Sequence, residues 1–96
     1  MFFLEALKNK YGIRKFTWFM HFAVVLVFSG LYYKYLEPED FNGSEGLKSY
    51  SDYLYYTIVT HASVGYGDIS PKTTRAKQLV TLHIVIAFVL IISLWL

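Results

Sequence analysis

Apolar residues fall into two long blocks separated by a polar middle. Residues 16–33 and 79–96 each supply 18 positions dominated by Phe, Leu, Ile, Val, Ala and Tyr. As a helix each block extends ~27 Å, close to the ~30 Å of a bilayer's hydrocarbon core, so each is expected to span with little tilt. The outer helix is expected over 16–36 and the inner one over 76–96. Ahead of them, residues 1–15 mix Phe2, Phe3, Leu4, Leu7 and Ile13 with Lys8, Lys10, Arg14 and Lys15. That mixture reads as a short interfacial helix or as a frayed tail. Between the spans, residues 37–50 carry Glu37, Glu39, Asp40 and Glu45 with Pro38, Gly43 and Gly46, the composition of an exposed, flexible turret loop. Ser51 is a candidate N-cap for a short helix over 51–62, with Asp52 at the positive end of its dipole. Pro71 then favours a turn back toward the membrane.

Composition narrows the class. A chain of 96 residues with 55% hydrophobic content is one domain and too small to enclose a pore alone. It has no cysteine, which removes disulfides and thiolate metal sites. A secretory signal peptide would also place basic residues before an apolar run. The first run is longer than a usual signal core, and no Ala-x-Ala-like cleavage site follows it. Four basic residues precede the first span and five (Lys34, Lys48, Lys72, Arg75, Lys77) separate the spans, so the positive-inside count leaves orientation open.

The polar middle holds the chemistry. Ser63-Val64-Gly65-Tyr66-Gly67-Asp68 follows the predicted short helix directly. A dehydrated cation needs oxygens in place of its water, and a short strand supplies them only if successive carbonyls turn the same way. Ordinary strands alternate their carbonyls. Glycine enters the positive-φ region at little steric cost, so Gly65 and Gly67 between Val64 and Tyr66 permit that turn. The Ser63 hydroxyl offers one more oxygen below. Gly and Asp also make ordinary turns, but a short helix and a hydrophobic span on each side are what a filter in a membrane demands. The motif resembles the selectivity filter of potassium channels.

Span, short helix, filter and span in so short a chain resemble the miniature potassium channels encoded by large viruses of algae, the chlorella-virus type. The likeness is carried by Thr60-His61, Ser63 to Asp68, Pro71-Lys72-Thr73-Thr74, Ala76-Lys77, His83-Ile84-Val85 and Tyr33-Lys34. It implies an all-α membrane protein in which two transmembrane helices flank a pore helix (51–62) and a selectivity filter (63–68). It also implies a homotetramer, each chain meeting three identical subunits and membrane lipid. One strand gives one oxygen per ring, and a cage of four carbonyls around an axis needs as many strands. The expected activity is passive potassium transport with potassium ions held at Ser63, Val64, Gly65 and Tyr66, with Gly67 completing the filter. No organic cofactor and no nucleic acid is implied. By the same resemblance the Gly-Tyr-Gly-Asp end faces outside, both termini are cytoplasmic, and the membrane is that of a host cell or virus.

Two departures from the family pattern bear on the site. Ser63 stands where potassium channels usually carry Thr, keeping the hydroxyl and losing a methyl that fixes χ1. Val59 stands where many larger channels place a carboxylate behind the filter, so Asp68 needs another partner, with Tyr55 the first candidate and Arg75 the second. Thr60 and His61 are expected to support the filter from the end of the pore helix. His83 is expected to meet Tyr35 by ring contact between the spans, and His21 to be interfacial. The inner span has no Gly or Pro hinge. A gate is expected instead at Ser93, whose hydroxyl would bond back to the Val89 carbonyl and swing Leu94 or Trp95 toward the axis. Trp18 and Trp95 suit an aromatic belt, and Lys34 can snorkel. Two other functions fit less of the chain: a non-selective cation pore and a two-span membrane adaptor. An enzyme is not expected, since no nucleophile lies at a suggestive spacing from a base.

Overall fold

A computed structural model describes the backbone of residues 2–95 and the side chains of residues 15–93. Three helices carry the fold: α1 (Phe2–Tyr35), α2 (Tyr50–His61) and α3 (Thr74–Trp95). Nothing in α1 breaks the backbone at residue 15, so the expected interfacial helix over 1–15 is not a separate element. It is the first half of one 34-residue helix, ~51 Å long, which sets the molecule's longest extent of 57 Å. The side chains of residues 1–14 lie outside the described residues. Lys15–Tyr35 and Thr74–Ser93 are apolar and long enough to cross a membrane.

The two spans pack through narrow stripes. On α1 and the residue that follows it, the buried apolar residues are Val24, Phe28, Tyr32 and Leu36, four apart, with Thr17 and Ser29 buried as well; on α3 the buried residues are Ala76, Val80, His83 and Ala87. Spacings of three and four place each set on one helical face. Lipid supplies no hydrophobic drive between helices, so contact depends on close packing and polar pairs. The small Ala76 and Ala87 permit the first, and His83 supplies the second. The opposite face of α3 exposes Leu82, Val85, Phe88 and Val89, as a helix solvated by lipid or by another chain should.

α2 begins two residues earlier than Ser51 suggests. Ser49 occupies the cap position, because Asp52 reaches back to accept the Ser49 N–H at 3.0 Å and the Lys48 N–H at 2.9 Å. Those two bonds, in that neighbourhood of helix N–H groups, hold the Asp52 carboxyl below its ordinary range. Ser51 instead bonds the Ser49 hydroxyl at 2.8 Å.

The turret is folded rather than an exposed flexible loop. Pro38–Asp40 and Ser44–Gly46 form single 3-10 turns, and β1 (Phe41–Asn42) pairs antiparallel with β2 (Ser70–Pro71), a small ribbon in an otherwise helical chain. Phe41 drives this, being 2% exposed and set edge-on to Tyr32, Tyr53 and Tyr56 with centroids 5.3–6.5 Å away. Asp40 beside it is equally hidden. Its carboxylate accepts the Arg75 Nη2 at 2.7 Å, the Arg75 Nε at 3.0 Å, the Thr73 hydroxyl and the Glu37 N–H. Its carbonyl accepts the N–H groups of Lys72 and Thr73. One acidic residue thus ties the turret to the start of α3.

The Arg75 guanidinium, above all, holds the Asp40 carboxyl well below the usual carboxylate range. A depressed pKa contributes stability that is complete above the unfolded value of about 3.9 and drains away as pH falls below it. Asp40→Asn should therefore lower the thermal midpoint at neutral pH and flatten the acid-side loss of stability, while the limb due to Asp52 remains. Thermal unfolding in detergent across pH 2 to 7 checks this; an acid limb as steep as that of the parent protein would place the stabilising charge elsewhere.

Candidate functional site

The segment after α2 has an unusual backbone. Ser63, Gly65 and Gly67 have φ of 62°, 58° and 80°, while Val64 and Tyr66 between them remain at negative φ. Alternating the sign turns successive peptide planes so that carbonyls gather on one side, where a ladder strand would divide them between two. Ser63 is the one non-glycine residue at positive φ among the described residues. A β-branched side chain would be more strained there, which gives the serine a conformational rationale.

α2 anchors the lower half of the segment. The Val59 carbonyl accepts the N–H groups of Val64 at 3.0 Å and Gly65 at 3.4 Å, and the Thr60 carbonyl accepts that of Ser63 at 3.2 Å. Among the described residues no backbone donor is spent on the carbonyls of Ser63 to Gly67. The negative end of the α2 dipole lies at this point and favours a cation. Nothing within 4 Å would meet a Cβ on Gly65 or Gly67, so φ itself, not a neighbour, is what excludes other residues. Val64 and Tyr66 are 51% and 70% exposed. One chain alone leaves this segment bare.

The upper end is held from two sides. Tyr55 Oη donates to Asp68 Oδ2 at 2.7 Å, and Asp68 Oδ1 accepts the Ile69 N–H at 3.1 Å. Donation to a carboxylate raises the Tyr55 phenol above its ordinary value, so it keeps its proton at physiological pH. Arg75 is engaged with Asp40 and not with Asp68. From the turret, Gly43 at φ 75° lies so close that a Cβ there would overlap the Asp68 carbonyl oxygen.

The lower end rests on a chain of side chains buried between helices. His61, the last residue of α2, has Nε2 at 2.8 Å from His21 Nδ1 and Nδ1 at 3.0 Å from His83 Nε2. His83 Nδ1 lies 2.8 Å from Tyr32 Oη, and the Phe28 ring stacks on His83 with centroids 4.5 Å apart. Within the chain the partner of His83 is therefore Tyr32 and not Tyr35, which is 61% exposed beside Lys34. His21 is drawn toward His61, with the Trp18 ring 5.9 Å away by centroids. Higher up, Ser29 Oγ donates to the Leu26 carbonyl, so Tyr50 Oη at 2.6 Å donates to Ser29. Tyr32, Asp40, Gly43 and His21 were the site residues that sequence reasoning missed; a polar side chain in an apolar span was the available signal for His21. At the C-terminal end of α3, Ser93 Oγ bonds the Leu90 carbonyl at 2.7 Å instead of that of Val89. The side chains of Leu94 and Trp95 lie outside the described residues.

The sequence model of a family described as ion channels matches residues 20–96. The potassium channel protein kcv of Paramecium bursaria Chlorella virus 1 is 46% identical over 46 residues, covering 48% of this chain and 49% of that protein. The match thus spans about half the length of the curated relative. No solved structure matches the chain.

Removing the Tyr55 hydroxyl leaves Asp68 Oδ2 without the one side-chain donor it has among the described residues. Tyr55→Phe should accelerate amide hydrogen exchange at Gly67, Asp68 and Ile69 several-fold while leaving Val64 and Gly65, bonded to α2, near their parent rates. Exchange measured in lipid nanodiscs tests this, and uniform protection in the variant would reduce Tyr55 to a membrane anchor.

Proposed function

The chain belongs to the ion channel family, and from that premise we propose that it is the pore-forming subunit of a potassium-selective channel. The observation that carries this reading is the alternation of φ at Ser63, Gly65 and Gly67, the backbone pattern that permits successive carbonyls to turn to one side. Carbonyls of Val64, Gly65 and Tyr66, with the carbonyl and hydroxyl of Ser63, take the place of an ion's water shell. Gly67 completes the run. Thr60, His61, Tyr55 and Asp68 brace it. Potassium ions are the cargo, and the transport is passive. The likeness to a viral channel named for potassium supports the choice of ion.

The assembly is a homotetramer in lipid. The exposure of Val64 and Tyr66 and the empty space beside both filter glycines support it, since each strand needs other chains to close the cage. The Asp68 end faces outward and both termini lie in the cytoplasm, of a host cell or a virus-derived membrane. Fusion of a reporter to either end checks the orientation. The cytoplasmic gate is set at Ser93, Leu94 and Trp95, where the Ser93 hydroxyl competes for a backbone carbonyl of the last turns. Ser93→Ala should lose a long closed state with unitary conductance and selectivity unchanged; an identical closed-time distribution in single-channel records would remove this gate.

Purified protein in a planar bilayer with unequal potassium and sodium solutions tests the main reading. A reversal potential near that of potassium is expected, whereas one near zero would indicate a non-selective cation pore and absence of current an adaptor. Gly65→Ala should abolish selectivity, because holding an L-residue at φ 58° costs ~1–2 kcal/mol in each of the assembled chains. Selective current retained by Gly65→Ala would sink the assignment of the filter.

A further inference from the structure

Tyr32, His83, His61 and His21 form one unbranched line of hydrogen bonds. His83 uses Nδ1 toward Tyr32 and Nε2 toward His61; His61 uses Nδ1 toward His83 and Nε2 toward His21; His21 joins through Nδ1. A neutral imidazole has one donor nitrogen and one acceptor nitrogen. Among the described residues no carboxylate bonds to any of the three rings, and an unpaired imidazolium at membrane depth is costly. Neutral rings joined through opposite nitrogens must all donate in the same sense. Only two directions exist.

Counting unsatisfied groups chooses between them. If the line starts at Tyr32, its O–H donates to His83 Nδ1, His83 Nε2–H to His61 Nδ1, and His61 Nε2–H to His21 Nδ1. His21 then carries its proton on Nε2, a buried atom with no partner among the described residues, and that is one orphan. If the line runs the other way, His21 Nε2 is an orphaned lone pair. The phenolic proton is orphaned too, because Tyr32 is completely buried and, among the described residues, its hydroxyl bonds His83 alone. Each buried polar group left unmade is penalised, so the direction with one orphan prevails over the direction with two.

We propose that Tyr32 is a positioning residue whose single proton fixes the tautomer of three histidines and so orients His61, at the foot of the filter, across two intervening hydrogen bonds. This rests on the reading of residues 63–67 as the filter. His61 closes α2 two residues before Ser63, and its two nitrogens tie that helix end to α1 and α3. With the hydroxyl removed in Tyr32→Phe, either direction leaves two orphans: a bare or protonated His83 Nδ1 at one end and His21 Nε2 at the other. The directions become equivalent. The loss is felt as far as His21, eleven residues and ~16 Å along α1 from the substituted ring.

Solid-state NMR of isotope-labelled imidazole nitrogens, on the full chain reconstituted in bilayers, reads the tautomers directly. In the parent protein all three histidines should be protonated on Nε2 alone. In Tyr32→Phe both tautomers should appear in comparable amounts at His21, His61 and His83, and single-channel records should gain a second class of open times at an unchanged reversal potential. A parent protein with His21 protonated on Nδ1 overturns the proposal without any variant having to fold. So does a Tyr32→Phe protein that keeps a single tautomer at His21, or one whose tautomers mix while its open times stay as before. A pore that fails to distinguish potassium from sodium would instead overturn the preceding reading and leave the tautomer assignment standing.

Discussion

Carbonyl oxygens turned toward an ion cannot also be spent on backbone hydrogen bonds, so the segment from Ser63 to Gly67 cannot stabilise itself as a helix or a ladder would. Its shape must be imposed from outside. Below, Val59 and Thr60 draw its N–H groups back to α2. Above, Tyr55 grips Asp68 from α2, and the turret presses Gly43 against the Asp68 backbone. The rest of the molecule positions those contacts. Asp40 fixes the turret to α3 through Arg75 and Thr73, and the imidazole line fixes the end of α2 to both spans.

The bilayer explains why so many of these contacts are polar or aromatic. Between helices in lipid, apolar burial no longer separates right from wrong packing, since a leucine is as well solvated by acyl chains as by another leucine. Hydrogen bonds and ring geometry must carry the specificity. Tyr32 illustrates this, with its ring among Phe28, Phe41, Tyr56 and His83 and its hydroxyl bonded to one nitrogen. The oriented cluster sets how far α1, α2 and α3 stand apart where the filter begins.

The alternating backbone of residues 63–67 and the two apolar spans were legible in the sequence because their signals are local. Glycines two apart announce alternating φ, and an apolar block of fixed length announces a crossing. The partner of Asp68 was legible for a different reason: with Val59 unable to bond it, few donors of adequate reach remained. The turret was misread because Glu37, Glu39, Asp40 and Gly43 have the composition of a solvated loop, while the guanidinium that neutralises Asp40 lies 35 residues away. Depth along the spans points to Tyr35 for His83, whereas the side chain that reaches it is Tyr32. On a nearly uniform apolar helix, hydropathy does not say which face turns inward, and three residues of α-helix rotate a side chain by ~300°. The same blindness hid His21, whose partner closes another helix.

Surface loops usually tolerate added residues well, since loop-closure entropy rises slowly with length. This turret restricts that freedom. Asp40 and Gly43 are three positions apart, yet one is locked to α3 and the other abuts the Asp68 carbonyl; beyond them a Cβ on Gly46 would come within 3.7 Å of Ile69, and Leu47 is buried. An insertion between Asp40 and Gly43 would have to be absorbed by moving Asp68. For an epitope, a fluorophore or a crosslinking handle, the usable window on this side of the membrane narrows to Ser44 and Glu45, and natural length variation should be confined to the same two positions.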